Sequence, residues 1–114
     1  MKLADLKRAI ALNGGFTLNH KGEFLMADRG FMVSLSGFEK VTTLEAFDER
    51  TLKGYLRIAR KKRAYFGAWL DNGNLYLDIS IKTTNKQLAR KMGKKNDQIA
   101  IFDLSKNESI YLKH

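Results

Sequence analysis

Apolar residues near the start of the chain recur at helical spacing, with Leu3, Leu6, Ala9 and Ile10 on one stripe and Asp5 in the first turn. Asn13-Gly14-Gly15 supplies a stop, so the pattern predicts a helix over Leu3–Leu12. Phe16–Leu18 and Phe24–Ala27 read as two short strands around the turn His20-Lys21-Gly22-Glu23. Gly30 then introduces Phe31–Ser36, where Phe31, Val33 and Leu35 alternate with Met32, Ser34 and Ser36. A weaker strand is expected over Phe38–Thr43.

The second half has stronger signals. Asp48 is placed to cap a helix over Glu49–Lys62, whose Leu52, Tyr55, Leu56 and Ala59 form one apolar stripe. Tyr65–Leu70 and Leu75–Ile81 are strand-like runs joined by Asp71-Asn72-Gly73-Asn74, and Asn-Gly between alternating hydrophobics is a strong hairpin signature. Leu75, Leu77, Ile79 and Ile81 share one face of the second run, and Tyr76, Asp78 and Ser80 share the other. Thr84 or Asn85 can cap a third helix to about Lys94 that points Leu88, Ala89 and Met92 inward, with Gly93 near its end. Gln98–Leu104 and Ser109–Leu112 complete the order as two strands. Strands joined mostly by short turns with helices between them favour an α+β fold, a mainly antiparallel sheet with about three helices on one face.

With 114 residues the chain has the length of one domain, 1–114, and neither a repeat nor a linker divides it. Apolar residues make up 44% and charged residues 29%, so the composition is that of a folded protein. The absence of cysteine removes disulfides, thiolate zinc sites and a cysteine nucleophile. No signal-peptide pattern and no membrane-length apolar run is present, so the expected location is the cytoplasm with no membrane partner.

Charge changes the picture more than composition does. The net charge is +9, yet residues 1–50 hold seven basic and seven acidic groups and are neutral. The whole excess lies in residues 51–114. Lys53, Arg57, Arg60, Lys61, Lys62 and Arg63 accompany the second predicted helix, while Lys82, Lys86, Arg90, Lys91, Lys94 and Lys95 accompany the third. Neither 53–63 nor 82–95 contains an acid. Ordinary exposed helices intersperse acids four residues away and gain about 0.2–0.5 kcal/mol per pair. Charge runs are usually solvated faces that confer solubility. Segregation on this scale favours a surface that contacts a polyanion, with Arg57, Arg60, Lys61, Lys62, Arg63, Lys86, Arg90, Lys91, Lys94 and Lys95 as the candidate contacts.

Trp69 and Tyr76 on the hairpin are candidate aromatic contacts for bases or for a protein partner, although a lone tryptophan on a strand more commonly belongs to the core. Asp71, Asp78 and Asp103 raise the question of a metal-dependent nuclease. Asp71 is explained by its turn, Asp78 can pair with a neighbouring lysine or arginine, and no spacing is diagnostic. His20 and His114 are too few for a metal or relay site. Nucleophile elbows, phosphate-binding loops and dinucleotide fingerprints are absent, so no enzyme activity, metal or cofactor is expected.

Gly30-Phe31-Met32-Val33-Ser34-Leu35 is similar to a glycine-aromatic-Met-Val-Ser motif. The run from Gly67 to Ser80, together with Asn96–Leu104, resembles a module in small proteins of bacterial phages and mobile elements. The likeness covers about half the chain and carries over no functional residue. It implies a phage or mobile-element setting in a bacterial host cell, where compact proteins without enzyme motifs often antagonise host defence, as anti-CRISPR proteins do. Strong positive charge departs from the acidic inhibitors that mimic DNA. The resulting expectation is a non-catalytic inhibitor of a host CRISPR effector nuclease, contacting nucleic acid or the nucleoprotein through the basic half. The alternative is a general DNA- or RNA-binding accessory protein of phage replication or packaging.

Overall fold

The computed structural model describes residues 2–25 and 29–112. Three helices, α1 (Leu3–Asn13), α2 (Glu49–Lys62) and α3 (Lys86–Lys95), accompany seven strands in one antiparallel sheet. The strands are β1 (Gly15–Leu18), β2 (Phe31–Ser34), β3 (Lys40–Thr42), β4 (Tyr65–Asp71), β5 (Asn74–Thr83), β6 (Ala100–Asp103) and β7 (Glu108–Tyr111). Their order is β1-β4-β5-β2-β6-β7, with β3 beside β5 on the edge that β2 also uses. The α+β antiparallel architecture expected from the sequence is the one observed.

The β4–β5 hairpin turns through Asn72 and Gly73, both at positive φ of 50° and 80°, as a tight Asn-Gly turn requires. Its register sets Phe66 opposite Ile79, Ala68 opposite Leu77 and Leu70 opposite Leu75. Those pairs share one face of the sheet, where α1 and α2 bury Leu6, Ile10, Leu52 and Ala59 against them. An aromatic cluster fills the middle of this layer. Tyr55 stacks on Phe66 at 4.8 Å, and Phe16 meets the same ring edge-on at 5.3 Å. On the same side α3 presses Ala89 onto Val33, Ile101 and Leu112 as a second, smaller core. Gly93 permits that approach, because a Cβ there would lie 2.6 Å from Leu112 and 2.8 Å from Ile101.

Local chemistry fixes the helix ends. Asp48 accepts a hydrogen bond from the Thr51 amide at 2.9 Å, and that bond holds its carboxyl below the usual range. Asn85 rather than Thr84 caps α3, accepting from the Leu88 amide at 3.0 Å. Gly14 ends α1 at a φ of 83°.

Three sequence expectations are corrected. Phe24–Ala27 is not a strand in its described part: Phe24 makes one bridge to Leu18, and Met26 and Ala27, like His114, lie outside the described residues. Leu88 is 45% exposed, and Ala89 with Gly93 forms the buried side of α3, because only small residues let this helix sit close to β6. Trp69 is 45% exposed rather than core. Its strand carries apolar residues on both faces, and the helices cover the face of Phe66 and Ala68.

Gly15 pairs with Trp69 at the join of α1 and β1, where a Cβ would collide with the Ala68 carbonyl. Gly15→Ala is therefore expected to destabilise the fold by about 1–3 kcal/mol, read as a lower urea midpoint with unchanged slope.

Candidate nucleic-acid interface

The strand register divides the predicted site residues between two sides of the sheet. Arg57, Arg60, Lys61, Lys62 and Arg63 on α2 and its C-cap, and Lys86, Arg90, Lys91, Lys94 and Lys95 on α3, are all exposed on the helical side. Trp69 and Tyr76, neighbours across β4 and β5, stand on the opposite side, which no helix covers among the described residues.

On the helical side, α2 and α3 are tied to the same turn. Tyr55 of α2 donates to the Phe38 carbonyl at 2.7 Å, and the Lys62 ammonium lies 5.3 Å from the Phe38 ring centre. Burial, reinforced by the negative fields of Asp78 and Glu39, pushes the Tyr55 hydroxyl above its usual range, so it stays protonated and able to donate. Two residues earlier in the turn, the amide and hydroxyl of Ser36 both donate to Asn96, the C-cap of α3, at 3.1 and 3.3 Å. The cation-bearing last turns of the two helices thus keep a fixed relation through residues 36–38. Their C-terminal dipoles offset part of the repulsion among Arg60, Lys61, Lys62, Lys94 and Lys95.

Arg63 has a conformational cost that its neighbours lack. It ends α2 in the left-handed region at φ 53° and ψ 44°, where glycine is the usual occupant. The other described non-glycine residues at positive φ are Asn72, Asp97 and Asn107, the residue types that tolerate it best. A side chain with a full Cβ in this conformation costs about 1–2 kcal/mol. The sequence nevertheless keeps a guanidinium there.

The uncovered side is built of cross-strand rows. Trp69 and Tyr76 stack with ring centres 5.7 Å apart and planes 12° apart. One position further along, Asp78 sits opposite Gly67, and beyond it Ser80 lies between Tyr65 and Ser34. Asp78 Oδ2 accepts from Ser34 Oγ at 2.6 Å and from Ser80 Oγ at 3.2 Å. Oδ1 occupies the space above Gly67, where a Cβ would approach it to 2.6 Å. Two serine hydroxyls therefore partner this carboxylate where the sequence suggested a lysine or arginine. Burial pushes the Asp78 carboxyl above the usual range, the serine hydrogen bonds and the Gly67 amide oppose that shift, and Glu39 adds to it.

The three aspartates considered for metal binding do not converge. Asp71 is exposed beside the hairpin turn, Asp78 is under the open face, and Asp103 is buried on the helical face, its Oδ1 accepting from the amides of Ser105 and Lys106. Among the described residues no group of three acidic, histidine or cysteine side chains is placed to hold a metal ion. No described helix is long and apolar enough to cross a membrane.

Sequence reasoning singled out Asp78 and quoted Ser34 but did not join them. Only the pairing of β2 with β5 puts Ser34 beside Ser80, and that contact spans 46 residues of chain. Comparison of the chain with protein-family models, curated proteins and solved structures gives no match.

A raised carboxyl makes the folded state bind its proton more tightly than the unfolded chain does. Asp78 therefore lowers stability as pH rises from the ordinary carboxylate range through its folded value, and its contribution is constant above that. Urea unfolding of Asp78→Asn against the parent should show a stability difference that moves in favour of the variant over that interval. A difference that does not change with pH would contradict the assignment.

Proposed function

We propose that this is a non-catalytic binding protein that engages nucleic acid, free or within a nucleoprotein, through the basic helical side. The observation that carries the reading is the placement of ten exposed cations on α2 and α3, tied through one turn, with Arg63 kept in a conformation that favours glycine. Phosphates would relieve the repulsion that these helices accept, and each one neutralised releases condensed counterions. The resemblance to phage and mobile-element proteins supports a nucleoprotein target in a bacterial host, with a CRISPR effector nuclease as the specific form. The general accessory role in replication or packaging is the form that needs no such target.

Fluorescence anisotropy with labelled duplex DNA, single-stranded DNA and RNA at several salt concentrations tests the common core of the reading. Affinity should fall steeply with salt, and the double variant Arg90→Ala/Lys94→Ala should flatten the logarithmic slope by about two. Arg63→Gly should weaken binding while raising stability by about 1 kcal/mol, a split that a purely structural arginine would not give. Salt-independent binding, or no effect of either variant, would contradict the proposal. Inhibition of a purified effector's cleavage, lost in the same variants, would select the nucleoprotein form; binding to free strands without such inhibition would select the accessory role.

A further inference from the structure

The uncovered side of the sheet is not a uniform apolar surface. It forms a concavity of about 1040 Å³ whose described lining includes Trp69, Gly67, Ser34, Asp78, Ser80 and Phe102, with Tyr76 stacked on Trp69. Asp78 is the one charged side chain of that described lining.

The hydrogen-bond directions give this floor a definite polarity. Ser34 and Ser80 both turn their hydroxyl hydrogens onto Asp78 Oδ2, so what the two serines present to a ligand is oxygen lone pairs. Asp78 is only 5% exposed and Ser80 only 7%, so the cluster is a built feature of the fold rather than a solvated surface group. An ionised carboxylate flanked by two hydroxyls that have spent their hydrogens offers acceptors alone. Phosphate is itself acceptor-only, so this floor repels it. A ligand edge rich in N–H donors is what it can satisfy, and Trp69 with Tyr76 offers an aromatic platform for stacking about 7 Å away along the same face.

An arginine side chain and a guanine base each combine a flat stacking body with adjacent N–H donors, whereas adenine and cytosine set a single amino group beside an acceptor. The protein carries a net charge of +9, which disfavours approach of a cationic peptide and favours an anionic polymer. Guanine brings two adjacent donors, N1–H and the N2 amino group, on an uncharged edge, while the phosphates of its strand remain outside the concavity. We propose that the open face is a second binding site, separate from the basic helices, that takes an unpaired guanine of single-stranded nucleic acid. The base stacks at Trp69 and Tyr76 and donates to the Ser34–Asp78–Ser80 floor. Unpaired bases are the ones free to enter such a site, because a duplex hides both their faces and their pairing edges.

Trp69 is the only tryptophan of the chain, so its fluorescence reports on this site directly. The titrants are the RNA tetranucleotides UGUU, UAUU and UUUU at high salt, where contacts to the basic helices are screened. N-acetylarginine amide and maltose are run alongside them. UGUU should quench Trp69 saturably and bind about tenfold tighter than UAUU or UUUU. Tyr76→Ala, a substitution of a partly exposed residue, should weaken all three strands about tenfold. Asp78→Asn, checked for folding by its thermal transition, should remove the preference for UGUU and leave UAUU unchanged. Arg90→Ala/Lys94→Ala should leave the quench intact, which keeps this result separate from that of the basic face. Equal binding of the three strands, tighter binding of the arginine amide or maltose, or loss of the quench in the Arg90/Lys94 variant would overturn the proposal.

Discussion

β5 pairs with three strands at once, with β4 along one edge and β3 and β2 end to end along the other, so its alternation decides which side of most of the sheet is dry. Leu75, Leu77 and Ile79 are fully buried under α1 and α2, and every residue registered beside them is carried to the same side. Tyr76, Asp78 and Ser80 are carried to the other. A one-residue slip in this register would exchange the two sets and place a carboxylate in the main core. The tight Asn72-Gly73 turn fixes that register locally.

From this constraint the two sides acquire different chemistry. All three helices are needed on the dry side, and their outward faces become the solvent surface there. Those of α3, and of α2 after its first residue Glu49, carry cations without interspersed acids. The other side has no helical layer among the described residues, so it keeps its aromatics exposed and its polar groups satisfied by one another. Charge and stacking surface are therefore back to back rather than adjacent. On the reading proposed above, the two surfaces therefore act as separate sites.

The parts of this arrangement that depend on neighbouring residues were legible in the sequence. The β4–β5 hairpin and α2 with its Asp48 cap follow from local pattern and turn signals, and the segregation of charge follows from counting residues along the chain. What depends on distant pairing was not. β4 alternates Tyr65, Gly67 and Trp69 with Phe66, Ala68 and Leu70, both sets apolar, so its sequence cannot say which face the helices cover. Leu88 looked like a core residue of α3 because of its type, but the close packing against β6 admits only Ala89 and Gly93. The Ser34–Asp78–Ser80 floor required β2 to cross to β5, and nothing local announces that crossing.

The most direct measurement of the central claim is backbone hydrogen exchange with and without a single-stranded RNA long enough to bind at moderate salt. The account predicts added protection in Arg57–Arg63 and Lys86–Lys95 of the helical side, lost progressively as salt rises. Protection confined to the sheet edges β1 and β7, with α2 and α3 unchanged, would contradict it.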